Sequence, residues 1–242
     1  MKRLVVISLV ALFATSAYAD FVVYDTGGSQ SRIQNAMTAL GLSYVVRDKD
    51  NPVTAADLST ADALVVGWNY DKYSDADMAG LSASVLESSI TGNILLTGHD
   101  ADFHAGGGNA AQTFMSQAID FSTAAGGTGL VAMSDYDTVA FDYLPASYGI
   151  SATGGISLDT ISAITAAGAA SGVYDGLTTT ALSNWGQSYH TMFNSWGSAF
   201  VSFELGGNRE AVTIARVVPV PGAVLLGLLG LGAAGAKLRK RA

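Results

Sequence analysis

Short β-rich runs alternate with helix-like segments through the first half of this 242-residue chain. Five runs predict strands, at residues 21–25, 44–47, 63–68, 94–97 and 130–133. Segments with apolar residues at helical spacing lie between them, at residues 29–40, 75–88 and 110–121. Strict alternation of strand and helix predicts a mostly parallel sheet with right-handed crossovers. We therefore expect an α/β fold of three layers, with helices on both faces of the sheet.

The second half of the chain is less regular. Two late β-rich runs, residues 199–205 and 211–217, flank Gly206-Gly207-Asn208, which is a favourable hairpin turn. They predict closing antiparallel strands of the same domain, which either extend the main sheet or cover it. Residues 158–167 fit a strand or a short helix equally well.

The amino terminus has the three parts of a secretory signal. Lys2 and Arg3 precede an apolar run, and Ala17-Tyr18-Ala19 forms a small-x-small cleavage site. Residues 1–19 are therefore predicted to be a signal peptide that signal peptidase removes. The chain has no cysteine, which excludes disulfides and every cysteine-based chemistry in the exported domain.

The carboxy terminus combines two prolines, an apolar stretch and a basic cluster. Pro219 and Pro221 precede 15 apolar residues at 222–236. That length is below the roughly 20 residues that a transmembrane helix needs. Lys237, Arg239, Lys240 and Arg241 follow and would hold this end on the cytoplasmic side. The pattern predicts a marginal hydrophobic helix that anchors the protein in the inner membrane, either transiently or as a plain anchor.

This ending resembles the PEP-CTERM sorting signal recognised by exosortases in Gram-negative bacteria. The likeness rests on Pro219-Val220-Pro221, the Leu/Gly-rich residues 225–231 and the basic cluster, in that order. Val220 stands where the eponymous motif has glutamate, as in looser variants of the pattern. The resemblance implies that residues 219–242 are a sorting signal cut by an exosortase-type enzyme. It also implies release or attachment at the cell surface or in the extracellular matrix, in bacteria that make exopolysaccharide or biofilm.

Charge is distributed very unevenly along the chain. All 20 acidic residues lie between Asp20 and Val218, and only six basic residues lie in the same range. The other six basic residues are in the terminal segments. Such an acidic body repels nucleic acid and anionic lipid and attracts cations. We therefore expect no nucleic-acid partner.

Acidic side chains follow the predicted strands at their carboxyl ends, where ligands of parallel sheets bind. The densest loop, "TGHDADFHAGGG", holds His99, Asp100, Asp102 and His104. Imidazole and carboxylate together suit zinc or another transition metal, whereas carboxylates alone suit calcium. The loop predicts a divalent-cation site, with a solvated acidic loop and a backbone-bonded His99 as the alternative.

Over roughly residues 21–133, the predicted domain at residues 20–218 resembles the flavodoxin-like fold of class I glutamine amidotransferases and their non-catalytic relatives. Gly98-His99 stands where catalytic members have an elbow with cysteine. The later segment "GQSYHTM" retains Gly186, Tyr189 and His190 but has Met192 where glutamate belongs. The resemblance therefore implies that the acyl-transfer mechanism has lost two of its three parts. Asp25, after the first strand, and His190 remain as candidate ligand-binding residues.

Aromatic residues cluster late in the chain. Trp185, Tyr189, Phe193, Trp196, Phe200 and Phe203 fit either core packing or an exposed glycan-binding platform.

Two functions follow from these features. The first is an exported, surface-sorted domain that is not an enzyme and acts as a scaffold for binding or matrix assembly, with exopolysaccharide as a candidate partner. The alternative is a metal-dependent hydrolase of extracellular polymer, with His99, Asp102 and His104 as ligands and an acid such as Asp25 as base. The alternative requires the two imidazoles and a carboxylate to converge on one point.

Overall fold

The computed structural model of the chain describes residues 21–25, 32–67, 78–134 and 140–219. Within these ranges the protein has an α/β fold built on one mixed sheet of ten strands, mostly parallel in its first half. The predicted α/β class, with a mostly parallel sheet and late antiparallel strands, is therefore confirmed. The predicted signal peptide and the sorting residues Pro221, Lys237, Arg239, Lys240 and Arg241 lie outside the described residues, and Pro219 is at their end.

Five strands form the parallel half of the sheet, and all five correspond to strands predicted from the sequence. They are β1 (Phe21–Tyr24), β2 (Tyr44–Arg47), β3 (Ala63–Val66), β4 (Ile94–Thr97) and β5 (Gly129–Ala132). Every residue of β1, β3, β4 and β5 is buried, whereas β2 is partly exposed. Continuous apolar runs of this kind are typical of parallel strands covered on both faces.

The strand order departs from the flavodoxin-like order. The parallel strands lie in the order β2-β1-β3-β5-β4, so β5 occupies the place between β3 and β4. In flavodoxin-like sheets the third, fourth and fifth strands follow one another across the sheet. The connection from β3 to β4 therefore skips one place, which β5 later fills.

Helices cover both faces of the sheet, as predicted. They are α1 (Arg32–Ala39), α2 (Ala55–Thr60), α3 (Ala83–Ser89), α4 (Ala101–His104) and α5 (Ala110–Thr123). Helices α1 and α5 pack with one set of core residues, and α2 and α3 with another. Consecutive residues of β1 point to opposite faces of the sheet: Val23 belongs to the core of α1 and α5, and Val22 to the core of α2 and α3.

The helix predicted at residues 75–88 is shorter in the structure. It begins only at Ala83. The preceding segment is held as a loop, because the Gly80 amide donates to the Tyr24 hydroxyl at 3.1 Å and the Val53 amide donates to the Gly80 carbonyl at 2.9 Å. Residues 75–77 are outside the described residues.

The second half of the chain extends the sheet with antiparallel strands. Its strands are β6 (Ser151–Thr153), β7 (Ile161–Ile164), β8 (Met192–Ser195), β9 (Phe200–Gly206) and β10 (Ala211–Arg216). Strand β10 lies between β4 and β9, with Thr213 opposite Thr97 on one side and Glu204 on the other. The predicted β9–β10 hairpin is confirmed, and the late strands extend the main sheet.

Short helices connect these late strands. A 3-10 turn spans Ala146–Tyr148, and two one-turn helices follow as α6 (Ala166–Ala169) and α7 (Thr179–Leu182). The ambiguous residues 158–167 contain β7 and the start of α6, so both interpretations hold for part of the segment. Among the described helices, none has the length and apolar character needed to cross a membrane.

Candidate functional site

The loop after β4 meets the segment before β8 at the carboxyl edge of the parallel strands. The Gly98 amide donates to the Val212 carbonyl at 2.7 Å, and the His190 amide donates to the Gly98 carbonyl at 2.8 Å. A side chain at position 98 would overlap the carbonyl oxygen of Thr191, so this approach requires glycine. The structure thus places the elbow-like Gly98-His99 beside His190, two parts of the chain that the amidotransferase resemblance paired.

His99 does not face this edge but points into the core. Its Nδ1 lies 2.6 Å from the Ser188 carbonyl oxygen, and its Nε2 lies 2.9 and 3.0 Å from the two carboxylate oxygens of Glu204. Both side chains are completely buried. The Ser188 carbonyl oxygen accepts a hydrogen bond and cannot donate one, so Nδ1 carries a proton. Nε2 carries a second proton when it donates to the ionised Glu204 carboxylate, which is the state that the raised pKa of His99 favours. In that state His99 is a buried imidazolium paired with a carboxylate.

The charge of His99 depends on Glu204. Burial lowers the pKa of His99, but the negative charge and the hydrogen bond of Glu204 outweigh it, so the pKa lies above its ordinary value. Glu204 also accepts from the Tyr174 hydroxyl and the Thr213 hydroxyl, both at 3.0 Å. A buried ion pair is tolerated only when its remaining hydrogen-bonding capacity is also used, and this network uses it.

Asp100 forms a second polar group, nearer the surface. One of its carboxylate oxygens, Oδ2, lies 3.1 Å from Nε2 of His104 and 3.3 Å from Nε2 of His190. The Asp100 side chain is only 1% exposed, against 20% for His104 and 5% for His190. Burial raises the pKa of Asp100, but the two imidazoles outweigh it and hold the pKa below its ordinary value. We call these three residues the Asp100 cluster.

Ser157, His190 and Asp100 follow one another in the order of a catalytic triad, but the hydrogen bonds of His190 prevent that function. Ser157 Oγ lies 3.4 Å from Nδ1 of His190, whose Nε2 faces Asp100. The Ile156 carbonyl oxygen is closer to the same Nδ1, at 2.7 Å, and accepts a hydrogen bond from its N–H. Because that nitrogen already carries a proton, it cannot accept one from Ser157. The row therefore does not activate a nucleophile in this arrangement.

The four predicted metal ligands are divided between two places. His99 faces Glu204, whereas Asp100 and His104 lie together with His190. Asp102, in the first turn of α4, is 3% exposed. In the part of the chain that the structure describes, no group of three or more histidine, aspartate and glutamate side chains is arranged to hold a metal ion. The divalent cation itself stays a prediction, but His99 is not available to it.

The other candidate ligand residue, Asp25, is separate from these groups. It follows β1, is 7% exposed, and accepts a hydrogen bond of 2.7 Å from the Gln34 side-chain amide. The contact ties Asp25 to α1, the helix that follows it in the sequence.

A pocket of about 360 Å³ opens beside the Asp100 cluster. It lies between the start of α5 and the residues around α7, and its lining is His104, Asn109, Ala110, Ala181, Asn184 and Trp185. The Trp185 indole N–H donates to the Ala181 carbonyl at 2.8 Å, and its ring packs against His99, with the centroids 4.8 Å apart. Trp185 thus separates the buried pair from the pocket.

The late aromatic residues fall into two groups. Tyr189, Phe193, Phe200 and Phe203 are at most 4% exposed and belong to the core, as the packing interpretation predicts. Trp185 and Trp196 are partly exposed. Only Trp185 lines the pocket described above.

Sequence reasoning missed Glu204, the residue that determines the state of His99. The available indication was its position: a lone acid between Phe203 and Leu205 in a strand whose other residues are apolar except for Ser202. Buried acids are almost always paired, so such a residue predicts a basic partner. The partner itself is 105 residues away and no spacing identifies it.

Comparison of this chain with protein-family models, with curated proteins and with solved structures finds no match.

Proposed function

We propose that this protein is an exported, surface-sorted protein whose α/β domain is a binding scaffold without catalytic turnover. The observation that carries the proposal is the state of His99. This residue follows β4, where the amidotransferase-like elbow has its nucleophile, yet it is fully buried and both ring nitrogens are engaged. A group with no free nitrogen and no exposed surface cannot attack a substrate or accept its proton.

The end of the domain supports processing close to the prolines. Strand β10 ends at Arg216, and the Val218 amide still donates to the Asn93 side chain at 2.8 Å. The Pro219-Val220-Pro221 motif follows at once. A cut near these prolines would leave every strand of the sheet intact. In this proposal signal peptidase acts after residue 19 and an exosortase-type enzyme acts near Pro219 or Pro221.

The alternative function, a metal-dependent hydrolase with His99 as a ligand, does not fit the position of His99. It needs His99, Asp102 and His104 to hold one metal ion, but His99 is fully buried with its Nε2 on Glu204, whereas His104 lines the pocket. A hydrolase that uses His99 as a metal ligand would require the buried His99–Glu204 pair to break.

The first test is the intact mass of the surface-located protein from its native host, with and without exosortase activity. We expect a species that begins at Asp20 and ends near Pro219 or Pro221, and only when that activity is present. A product that retains Lys237 to Arg241 in both strains would show a plain membrane anchor and overturn the sorting part of the proposal.

The second test addresses turnover. The purified protein is incubated with glutamine and with a chromogenic ester, with and without added zinc, and product is measured against a blank without protein. We expect the rate of the blank in every case. A rate above it that disappears in a His104→Ala variant would overturn the non-catalytic assignment.

A further inference from the structure

The pocket beside the Asp100 cluster has walls that are already fixed in position. The His104 ring is oriented by the buried Asp100 carboxylate, 3.1 Å from its Nε2. Asn109 caps α5 by accepting from the Gln112 amide at 3.0 Å, and its own side-chain amide donates to the His104 carbonyl at 2.8 Å. Trp185 is held by its bond to Ala181. Because these side chains are already ordered, the entropic cost of fixing them when a ligand binds is small.

The chemistry of the lining is polar but nearly uncharged. The six lining residues supply one imidazole, two carboxamides, one indole and two methyl groups. None of them is Lys, Arg, Asp or Glu, although the body of the domain is strongly acidic. Lining residues without a fixed charge do not compensate the desolvation of a charged ligand, so the described part of the lining favours a neutral one.

The same groups suit a ligand with many hydroxyls. Carboxamides both donate and accept hydrogen bonds, and the His104 imidazole adds a ring nitrogen to the same lining. The indole adds an apolar ring surface. A pyranose ring presents hydroxyls at its rim and C–H bonds on its faces, which match these two kinds of wall. The volume is near the lower end of the range for small-molecule sites, about 300 to 1,000 Å³.

We propose that this pocket binds a neutral sugar residue, with the carboxamide of Asn184 and the imidazole of His104 contacting hydroxyls and Trp185 contacting a ring face. The inference rests on the proposed function, since it names the ligand class of that binding scaffold. The sugar is a free monosaccharide or one unit of a neutral polysaccharide, and both present the same ring chemistry to the pocket.

Tryptophan fluorescence of the purified full chain tests this proposal, in a detergent whose head group is not a sugar. The probes are glucose, galactose, mannose and N-acetylglucosamine, the neutral polymers dextran and mannan, and glucuronate as a charged comparator. We expect a saturable change with at least one neutral probe. A response to a polymer but not to its monosaccharide identifies a chain unit as the ligand, and a response to the monosaccharide identifies the free sugar.

Three variants link the response to the pocket. Asn184→Ala removes an exposed carboxamide and should weaken binding about tenfold, the equivalent of one hydrogen bond to a ligand. Ala181→Leu fills the pocket from α7 and should abolish the response. Asn194→Ala, which removes an exposed asparagine on β8 outside the pocket, should bind as the wild type does. Circular dichroism of each variant confirms that the fold is retained.

Three results would overturn the inference: no saturable response to any neutral probe, unchanged binding in both pocket variants, or tighter binding of glucuronate than of glucose. These results differ from those that overturn the proposed function, which are catalytic turnover or an unprocessed carboxy terminus. A protein that is exported and inert but does not respond to sugars would disprove the ligand class alone.

Discussion

His99 and Glu204 form an ion pair in the centre of the domain, with Nε2 2.9 Å from Oε1 and neither side chain exposed to solvent. The pair joins the end of β4 to β9, across β10, which lies between them. Because both charges lack water, each depends on the other for most of its stabilisation. The pair thereby connects the parallel and antiparallel halves of the sheet.

Replacing one member of this pair should be severely destabilising. Glu204→Gln leaves the His99 ring facing a group without charge, and breaking a buried ion pair in this way costs about 3 to 5 kcal/mol of unfolding free energy. Denaturant unfolding of the variant and the wild type measures the difference. The double variant His99→Phe/Glu204→Met, which removes both charges, should recover part of the loss, because the Tyr174 and Thr213 hydroxyls then lack the Glu204 acceptor. A loss below about 1 kcal/mol in Glu204→Gln would contradict the ionic assignment.

The same pair should make stability depend on pH. The pKa of His99 is raised by Glu204, with Asp100 contributing in the same direction, so the folded protein holds this proton more tightly than the unfolded chain. The resulting stabilisation is complete below the ordinary histidine pKa of about 6.5. It is lost as pH rises through the raised value. We expect the melting temperature to fall with increasing pH above this point, measured by circular dichroism in matched buffers.

Glu204→Gln provides the control for this pH dependence. Without the carboxylate, the cause of the raised His99 pKa is removed, and the decline in melting temperature above neutral pH should be smaller than in the wild type. Equal slopes in the two proteins would assign the pH dependence to other groups.

Asp57 should stabilise the amino end of α2 down to low pH. Its carboxylate accepts from the Arg47 guanidinium, 3.1 Å from Nε, and from the Thr54 amide at 2.9 Å. The hydrogen bond from Arg47 is the main reason that the pKa of Asp57 is lowered to about 2. Its contribution is therefore present above the ordinary pKa and is lost as pH falls toward 2. Carboxyl chemical shifts followed by NMR measure this pKa.

The matched substitutions are Asp57→Asn and Asp50→Asn. The first loses the capping box and the Arg47 pair and should cost about 1 to 2 kcal/mol in denaturant unfolding. The second changes a side chain that is 79% exposed, and should change stability by less than about 0.5 kcal/mol. Similar losses in the two variants would disprove a specific role for Asp57.

Gly98→Ala should disrupt the junction between the loop after β4 and the segment before β8. A methyl group there overlaps the carbonyl oxygen of Thr191, and backbone on both sides is hydrogen bonded. We expect a loss of more than about 2 kcal/mol, because backbone must move to admit the side chain. Gly106→Ala is the control, since nothing lies within 4 Å of its added methyl group. Denaturant unfolding that shows equal stability for both variants would contradict the close approach.

The strands of the parallel half were predictable because each is a continuous apolar run with turn residues around it. Their order was not. The alternation determines crossover handedness, but it does not specify that β5 fills the place between β3 and β4. Helices α4, α6 and α7 have four residues each, too few to show a helical period. The short strands β6 and β8 lie in Ser/Thr-containing sequence without a strong alternating pattern.

The candidate site was predictable in part. Acidic and histidine-rich sequence after β4 located the loop, and the amidotransferase-like segment located His190 beside it. The direction of each ring was not predictable, because it depends on partners far away in the chain, such as Glu204 for His99 and Ile156 for His190. Side-chain direction at a strand end follows from tertiary packing, which local spacing does not encode.

The central position of β10 has a consequence for the biogenesis of this protein. Thr97 of β4 and Thr213 of β10 lie opposite each other and are 116 residues apart in the sequence. This edge of β4 therefore stays unpaired until nearly the whole domain has been synthesised. Long-range pairing of this kind slows folding, and an unpaired strand edge invites association with other chains. A nascent chain that emerges amino terminus first would remain incomplete until its final strand arrived. We expect the domain to depend on chaperones during synthesis, and to become protease-resistant abruptly once β10 is complete at residue 216.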